Sequence, residues 1–310
     1  MKNNLVSVCI TTYNREKILS LTVNSVLNQT YKNIELIIVD DCSNDGTQDL
    51  IENEILRLDH NIKYIRHNNN KGLAAARNTA IFSADGKYFT FCDDDDLWEP
   101  NFIEEFIKEA AAKDDNWCFC CSGKYRTFFG KNIEPNLRYE GDLKSFVKKG
   151  FTPPVASQFY NLKFLKKVNG YNENVKSGVD HDLWIRLLKL ELNLKYLPKA
   201  LSYPNSNIND KRMTTNDEHR INEIKNSLGF WKEDLTEMFG ENYYFKFHDA
   251  YIYREQVKYF KNNLKKLNII KILRNIPLKL IFKIIYDFIS DKIFINKKAI
   301  TTQPTLKIKF

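Results

Sequence analysis

No stretch of this 310-residue chain reaches the roughly 18 uncharged apolar residues that a membrane-spanning helix needs. No apolar run of leader length precedes the first strand-like segment. The expectation is a cytoplasmic protein without a span. Cysteine is missing after Cys121: all six, Cys9, Cys42, Cys92, Cys118, Cys120 and Cys121, fall early, mostly inside apolar strand-like runs. That argues against a disulfide framework and for buried reduced thiols. Cys118 and Cys121 form one CxxC, but with no second pair and no adjacent histidine a zinc site there is weak. No internal repeat and no low-complexity tract occurs, which excludes a solenoid. Acid is absent from Gln256 to Lys283, where eight Lys or Arg stand.

What is present is apolar bulk. At 43% apolar and 13% aromatic content the chain can bury one large core, or one core plus an appendage. Its formal charge of +8 is unevenly spread: residues 231–310 hold 16 Lys+Arg against 8 Asp+Glu, and the remainder balances at 31 against 31. A neutral body therefore carries a basic tail, and the basicity describes the tail's partner rather than a site in the body.

Along the first 125 residues, short β-branched or aromatic runs alternate with longer amphipathic patterns. "LVSVCI" (Leu5 to Ile10), "IELIIV" (Ile34 to Val39), "IKYIR" (Ile62 to Arg66) and "KYFTFC" (Lys87 to Cys92) predict strands, with helices between them. That rhythm implies an α/β fold, a mostly parallel sheet flanked by helices, in which ligands bind beyond the carboxyl ends of the strands. Polar clusters follow three of the strands at once: "TTYN" (Thr11 to Asn14), "DDCSNDG" (Asp40 to Gly46) and "DDDD" (Asp93 to Asp96). Residues 126–180 are richer in turn signals, a helix is expected from about Asp180 to Leu190 and a short strand near "LKYLP", and the pattern is helical from about Lys211.

Four adjacent carboxylates behind an apolar strand raise one another's pKa unless a cation intervenes. Strand alternation predicts Asp93 and Asp95 on one face and Asp94 and Asp96 on the other. One pair could share a hard divalent ion, Mn²⁺ or Mg²⁺, completed by phosphate oxygens. An EF-hand is disfavoured, because the required glycine and glutamate are absent from their loop positions. A nucleotide would then occupy the neighbouring tips, with Tyr13 as a stacking ring and Asp41 or Asp40 accepting from a uracil or thymine imide N–H. The competing readings are ordinary packing for Tyr13, a helix cap for Asp40 and Asp41, and a helix surface position for Arg77.

The segments "VSVCITTYNRE", "SVLNQTYKNIELIIVDDCSNDGT", "NKGLAAARNTAI", "GKYFTFCDDDDLWEPNFIE" and "GYNENVKSGVDHDLWIRL" together resemble the inverting family 2 glycosyltransferases of GT-A fold, from about Leu5 to Tyr203. The resemblance implies a Rossmann-like GT-A domain over 1–210, with a nucleotide-binding half (1–125) and an acceptor-binding half (126–210), and a helical C-terminal region over 211–310. It implies that Thr11, Tyr13 and Asp41 hold the nucleobase, that Arg77 helps on the nucleotide side, and that Asp93 and Asp95 match the DxD motif. Asp95 would be the direct metal ligand, Asp93 nearer ribose and metal, and Asp94 a ribose or local contact. Asp180 matches the catalytic base, taking the acceptor hydroxyl's proton while the metal offsets charge on the departing diphosphate. His181, Asp182 and Trp184 fall on the acceptor side, although Asp182 could instead support Arg186 and Trp184 belong to the core. Where family members often carry Glu-Asp this chain has Val179-Asp180, and the QxxRW motif of processive synthases does not follow. The first departure bears on the hydrogen-bond network around the base; the second, with the lack of spans, favours addition of one sugar, from a UDP-sugar or a dTDP-sugar, to a glycan or lipid-linked acceptor.

In the tail, Lys279, Lys283 and Asp287 recur every four residues in "LKLIFKIIYDFIS", leaving a wide apolar face. Such a helix suits the headgroup boundary of an anionic membrane, so residues 256–290 could place the protein peripherally on the inner face of the cell membrane. The alternative is packing against the body or a second subunit. Nucleic acid is disfavoured, because the basic residues alternate with aliphatic bulk rather than exposed stacking aromatics. Of two rival functions, a nucleotidyltransferase is disfavoured, because it should show a Gly-rich loop where "TTYNRE" stands, and a non-catalytic nucleotide-sugar or metal-binding partner subunit stays open.

Overall fold

A computed structural model describes residues 4–59, 61–123, 125–126, 132–133, 138–148, 157–203, 217–265, 276–281 and 283–284. The chain divides into two compact units, one of Met1–Lys148, Thr152–Asn174 and Val179–Ile208, the other of Lys149–Phe151, Val175–Gly178 and Asn209–Phe310.

In the first unit the chain runs β1 (Val6–Thr12), α1 (Leu19–Leu27), β2 (Ile34–Asp40), α2 (Thr47–Asn53), β3 (Ile62–Arg66), α3 (Leu73–Ser83), β4 (Tyr88–Phe91), β5 (Leu97–Trp98) and α4 (Phe102–Ala111). It continues through β6 (Trp117–Gly123), β7 (Tyr125–Arg126), β8 (Asn132–Ile133), β9 (Tyr139–Asp142), α5 (Leu143–Lys148), β10 (Gln158–Asn161), α6 (Leu162–Lys167), α7 (Val179–Leu187) and β11 (Asn193–Tyr203). The main sheet has the order β3-β2-β1-β4-β10-β6-β11-β5, with β9 also on β11. β3, β2, β1 and β4 are parallel, whereas β10 is antiparallel to both of its neighbours.

β1 and β2 are buried along almost their whole length, as strands covered by helices on both faces must be, and this is why they read as continuous apolar runs. Leu19 and Val23 of α1 and Phe102 and Phe106 of α4 pack into one core with Val8, Ile10 and Phe159. α3 buries Ala74, Ala75, Ala76 and Ala80. After β1 the chain turns to β2 on one side, while β4 arrives on the other by way of β3 and α3. This reversal leaves a crevice at the carboxyl ends of β1 and β4, where the polar tips gather.

Three local expectations change. Thr11 and Thr12 close β1 rather than follow it, paired in register with Val39 and Asp40. The helix expected to reach Leu190 ends at Leu187 and tightens into a 3₁₀ turn, Leu188–Leu190, stopped by Glu191 at φ 51°. The strand near "LKYLP" is eleven residues long, because β6 lies on one side of it and β9 and β5 on the other. Cys118 and Cys121 both lie in β6; an odd offset in a strand sends their thiols to opposite faces, and both are buried.

The second unit contains α8 (Asp217–Phe239) and α9 (Glu241–Lys265), joined by Gly240 at φ +88°, a left-handed helix stop suited to glycine. Trp231 packs edge-on against Tyr251 and Phe247. Tyr259, Phe260, Ile276, Ile281 and Ile284 form a further apolar cluster with Ile221, Tyr253 and Val257 around it. That corrects the lipid-facing reading at two positions: Ile281 and Ile284 turn into this cluster, while Leu278 is exposed. The rest of 256–290, residues 266–275, 282 and 285–290, lies outside the described residues. Among the described residues no helix is long and apolar enough to cross a membrane.

Candidate active site

The loops after β1 and β2 are sewn together by backbone donors. Asn14 N–H donates to Ser43 Oγ (2.9 Å), Arg15 N–H to Thr47 Oγ1 (2.9 Å), and Asn44 N–H returns to Asn14 Oδ1 (2.8 Å). Asn14 sits at φ 57° and Cys42 at φ 67°, a left-handed conformation that such a network can hold. Tyr13 consequently stands outside the core, 44% exposed, which removes the packing reading for its ring. Thr11 is half-buried behind it.

The paired carboxylates after β2 separate in role. Asp40 is wholly buried; it accepts from Ser43 N–H (2.8 Å) and Tyr64 OH (3.2 Å) and faces Arg66. Asp41 braces the entrance to α3: Oδ1 accepts from Lys71 N–H (2.8 Å) and meets His67 Nδ1 (2.7 Å), and Oδ2 accepts from Gly72 N–H (2.7 Å). Three of the roughly four acceptor directions of the Asp41 carboxylate are thus taken by the protein.

The aspartate run does not continue β4, and this overturns the expected division into two faces. The strand ends at Phe91, and Asp96 N–H closes a turn on the carbonyl of Asp93 (3.0 Å). Each side chain is set by that turn rather than by alternation. Asp93 meets Arg77 Nη2 at 2.9 Å, Asp94 meets Arg15 Nε at 3.4 Å, Asp95 is half-buried and Asp96 is buried. Basic side chains therefore neutralise part of the cluster, contrary to the expectation of a cation alone. Burial pushes the Asp94 carboxyl up to about 7 against the pull of Arg15, and Asp95 and Asp93 add to the rise.

Arg77 is the centre of the site. It projects from α3, is almost wholly buried, and joins Asp93 to Asp180 through its two terminal nitrogens, Nη1 lying 2.7 Å from Asp180 Oδ1. Its guanidinium carbon sits 5.1 Å from the Phe91 ring and 5.2 Å from the Tyr171 ring. Nη1 also donates to Tyr171 OH (3.3 Å), which in turn donates to Asp180 Oδ1 (3.2 Å). Burial raises the pKa of Asp180; Arg77 opposes that rise, Asp93 adds to it, and the Tyr171 hydrogen bond lowers it. Burial works against the charge on Arg77 as well, but Asp180, Tyr171 and Asp93 hold it protonated, above its ordinary range.

Of the residues expected on the acceptor side, only His181 is half-exposed beside Asp180. Trp184 is a core residue, 4% exposed, its ring 5.4 Å from that of Tyr160. Asp182 is buried and bridges to Arg186 (2.8 Å), so it braces α7 instead of lining an open surface. Arg15 and Tyr171 were not singled out from the sequence, though both stand inside motifs that were, "TTYNRE" and "GYNENV". An arginine two residues beyond Tyr13 was a usable signal; nothing local marks Tyr171.

The same architecture occurs in solved structures. Staphylococcus aureus TarS (residues 1–349, in complex with UDP-GlcNAc) superposes with a TM-score of 0.60 at 20% identity, over 92% of this chain and 80% of that one, which shows a shared GT-A fold. The Bacillus subtilis glycosyltransferase TuaG is 42% identical over 191 residues, 60% of this chain and 72% of TuaG. Escherichia coli WfaP, named UDP-Glc:alpha-D-GlcNAc-diphosphoundecaprenol beta-1,3-glucosyltransferase, is 50% identical over 103 residues, 33% of this chain and 40% of WfaP. The profile described as Glycosyl transferase family 2 matches residues 7–168, more than half of the sequence, and the chain belongs to that family of glycosyltransferases.

Proposed function

We propose that the chain is an inverting transferase that moves one sugar from a UDP-sugar to a hydroxyl of a glycan or lipid-linked saccharide, with Asp180 as general base. The observation that carries this reading is the buried Asp93–Arg77–Asp180 bridge at the β1/β4 crevice. Inversion requires an acceptor hydroxyl to attack opposite the departing diphosphate while a fixed carboxylate takes its proton. A raised pKa makes Asp180 a stronger base than a surface aspartate, and Arg77 limits that rise by favouring the ionised form. Tyr13 offers the open ring on which a nucleobase can stack, with Thr11 and Asp41 behind it.

Among the described residues no three acidic, histidine or cysteine side chains are gathered closely enough to enclose a metal, so an ion here would need phosphate oxygens to complete its shell; the carboxylate oxygens and the accessible side chain of Asp93 are what a hard divalent ion prefers. Asp93 and Asp95 would hold Mn²⁺ or Mg²⁺, and Asp94 would face the ribose side. When bound, such an ion offsets negative charge on the diphosphate leaving group. The UDP-sugar choice draws support from the name of WfaP and from the UDP-GlcNAc complex of TarS. A surface-polysaccharide acceptor draws support from TuaG, whose name places it in teichuronic acid biosynthesis.

A panel of UDP-, GDP- and dTDP-sugars with Mn²⁺, reading diphosphate release and protection against thermal unfolding, tests the reading. Release with a UDP-sugar is expected. Stabilisation by none of them would sink it, and binding without turnover, unchanged by Asp180→Asn, would mark a non-catalytic partner subunit. Membrane attachment through 256–290 would have to use faces other than Ile281 and Ile284. Liposome flotation of the intact chain against a truncation before Gln256 decides it, equal flotation ruling the tail out as anchor.

A further inference from the structure

We infer that Tyr171 is a positioning residue for the base: together with Arg77 it occupies Oδ1 of Asp180 and so leaves Oδ2 as the oxygen that receives the acceptor's proton. The inference rests on the assignment of Asp180 as base. Among the described residues the two donors that meet Asp180, Arg77 Nη1 at 2.7 Å and Tyr171 OH at 3.2 Å, converge on Oδ1. Two donors on one oxygen fix the rotation of the carboxylate, which one alone would not. The phenol has a defined direction, because it accepts from Arg77 and can therefore give its own proton only to Asp180. Burial holds the Tyr171 pKa well above its usual value, so the donor stays protonated at neutral pH.

The phenol is itself held from both sides. Asn78, next to Arg77 on α3, grips the Tyr171 backbone with both ends of its amide: Oδ1 accepts from Tyr171 N–H (2.6 Å) and Nδ2 donates to the Tyr171 carbonyl (2.9 Å). The preceding Gly170 has φ +64°, and a Cβ there would lie 2.2 Å from Asn78 Oδ1, so the turn tolerates only glycine. From α7, Arg186 Nη1 donates to the carbonyls of Val168 and Gly170 (both 2.7 Å), and Asp182 orients that guanidinium. The helix that carries the base and the helix that carries its counter-ion thus clamp one turn between them, and that turn delivers the hydroxyl. The Tyr171 ring is further seated edge-on to Phe91, with centroids 5.5 Å apart.

The groups that face Asp180 are Arg77 from α3, Asp93 from the β4 tip, Tyr171 from the clamped turn and Tyr160 from β10. The test uses the full-length chain, UDP-glucose and UDP-GlcNAc with Mn²⁺, and ¹³C-carboxyl NMR in which the Asp180 signal is identified by its loss in Asp180→Asn. In Tyr171→Phe the Asp180 titration is expected to move upward, and kcat to fall about tenfold or more, the worth of one charge-assisted hydrogen bond, with KM for the donor within about twofold. An unmoved Asp180 titration overturns the positioning role whether or not turnover is detected, and so does an unchanged kcat. Asp180→Asn separates the underlying reading: if it keeps wild-type kcat, the base assignment fails, whatever Tyr171→Phe does. Should Tyr171→Phe not fold, Asn78→Ala, which keeps the phenol and frees the turn, carries the test. A lower kcat at unchanged donor KM supports the inference, and an unchanged kcat overturns it.

Discussion

Replacing Arg77 by methionine keeps the aliphatic stem against Phe91 and Tyr171 and deletes the charge between two carboxylates. Removing one member of a buried ion pair costs roughly 3–5 kcal/mol, because the partner's charge is left without compensation. For a domain of this size that corresponds to a fall in melting temperature of roughly 10 °C. The cost should depend on pH with a definite sign. Burial already raises the Asp180 pKa and Arg77 opposes it, so without Arg77 the folded-state value climbs further above the unfolded one. A carboxyl that holds its proton more tightly when folded favours the fold at low pH and loses that contribution as pH rises through the folded pKa. The deficit of Arg77→Met is therefore larger at pH 8 than at pH 5. Adding Asp180→Asn to Arg77→Met removes one of the two stranded charges and should restore at least about 1.5 kcal/mol, well outside additivity. Urea unfolding of the wild type, both single variants and the double variant measures this. A loss below about 1 kcal/mol in Arg77→Met, or additive behaviour in the double, would refute the claim that this bridge is the electrostatic centre of the site.

Asp180→Asn in the otherwise native chain should abolish turnover, read as loss of diphosphate release with a UDP-sugar, and should lower the urea midpoint because Arg77 is left with Asp93 alone. In the pH profile of kcat/KM, the acidic limb should have its midpoint above the ordinary aspartate value of 3.8. Asp41→Ala strands the backbone donors of Lys71 and Gly72 and should cost roughly 2–5 kcal/mol, together with loss of UDP binding by calorimetric titration. Ile284→Ala should destabilise the helical unit by about 2–4 kcal/mol, seen as a lower urea midpoint, whereas a helix face committed to lipid would lose nothing in aqueous unfolding.

The fold was legible in the sequence where burial enforces a pattern. β3 runs from Ile62 to Arg66 as the sequence predicts, and β1, β2 and β4 differ from expectation by one or two residues at their ends, because burial makes these strands read as largely apolar, β-branched or aromatic runs. The aspartate run was misread for the converse reason: alternation presupposes a strand, and the hydrogen bond from Asp96 to Asp93 that ends it is invisible in a string of identical residues. On α7 the acceptor-side placement of Asp182 and Trp184 gives way to the alternatives that the sequence also offered: Asp182 turns from the face of Asp180 to Arg186, and Trp184 enters the core. Arg77 was found, but as a nucleotide-side residue; its bridging of carboxylates 103 and 16 positions away along the chain depends on topology that no local spacing encodes.

The raised pKa of Asp180 connects stability to chemistry. A base at the surface would have the basicity of any aspartate, and a base buried alone would be protonated at neutral pH and unable to accept. Burial supplies the first requirement, stronger basicity, and Arg77 the second, ionisation. The two demands meet only if the counter-ion is itself held, and Arg77 is held by Asp93, whose side chain is open enough to meet a donor. Ligands that engage Asp93 therefore act on Asp180 through a single guanidinium. With Asp180 as the proposed base, the rigidity of that guanidinium, set by Phe91 and by the clamped Tyr171, determines how faithfully binding at Asp93 is felt there.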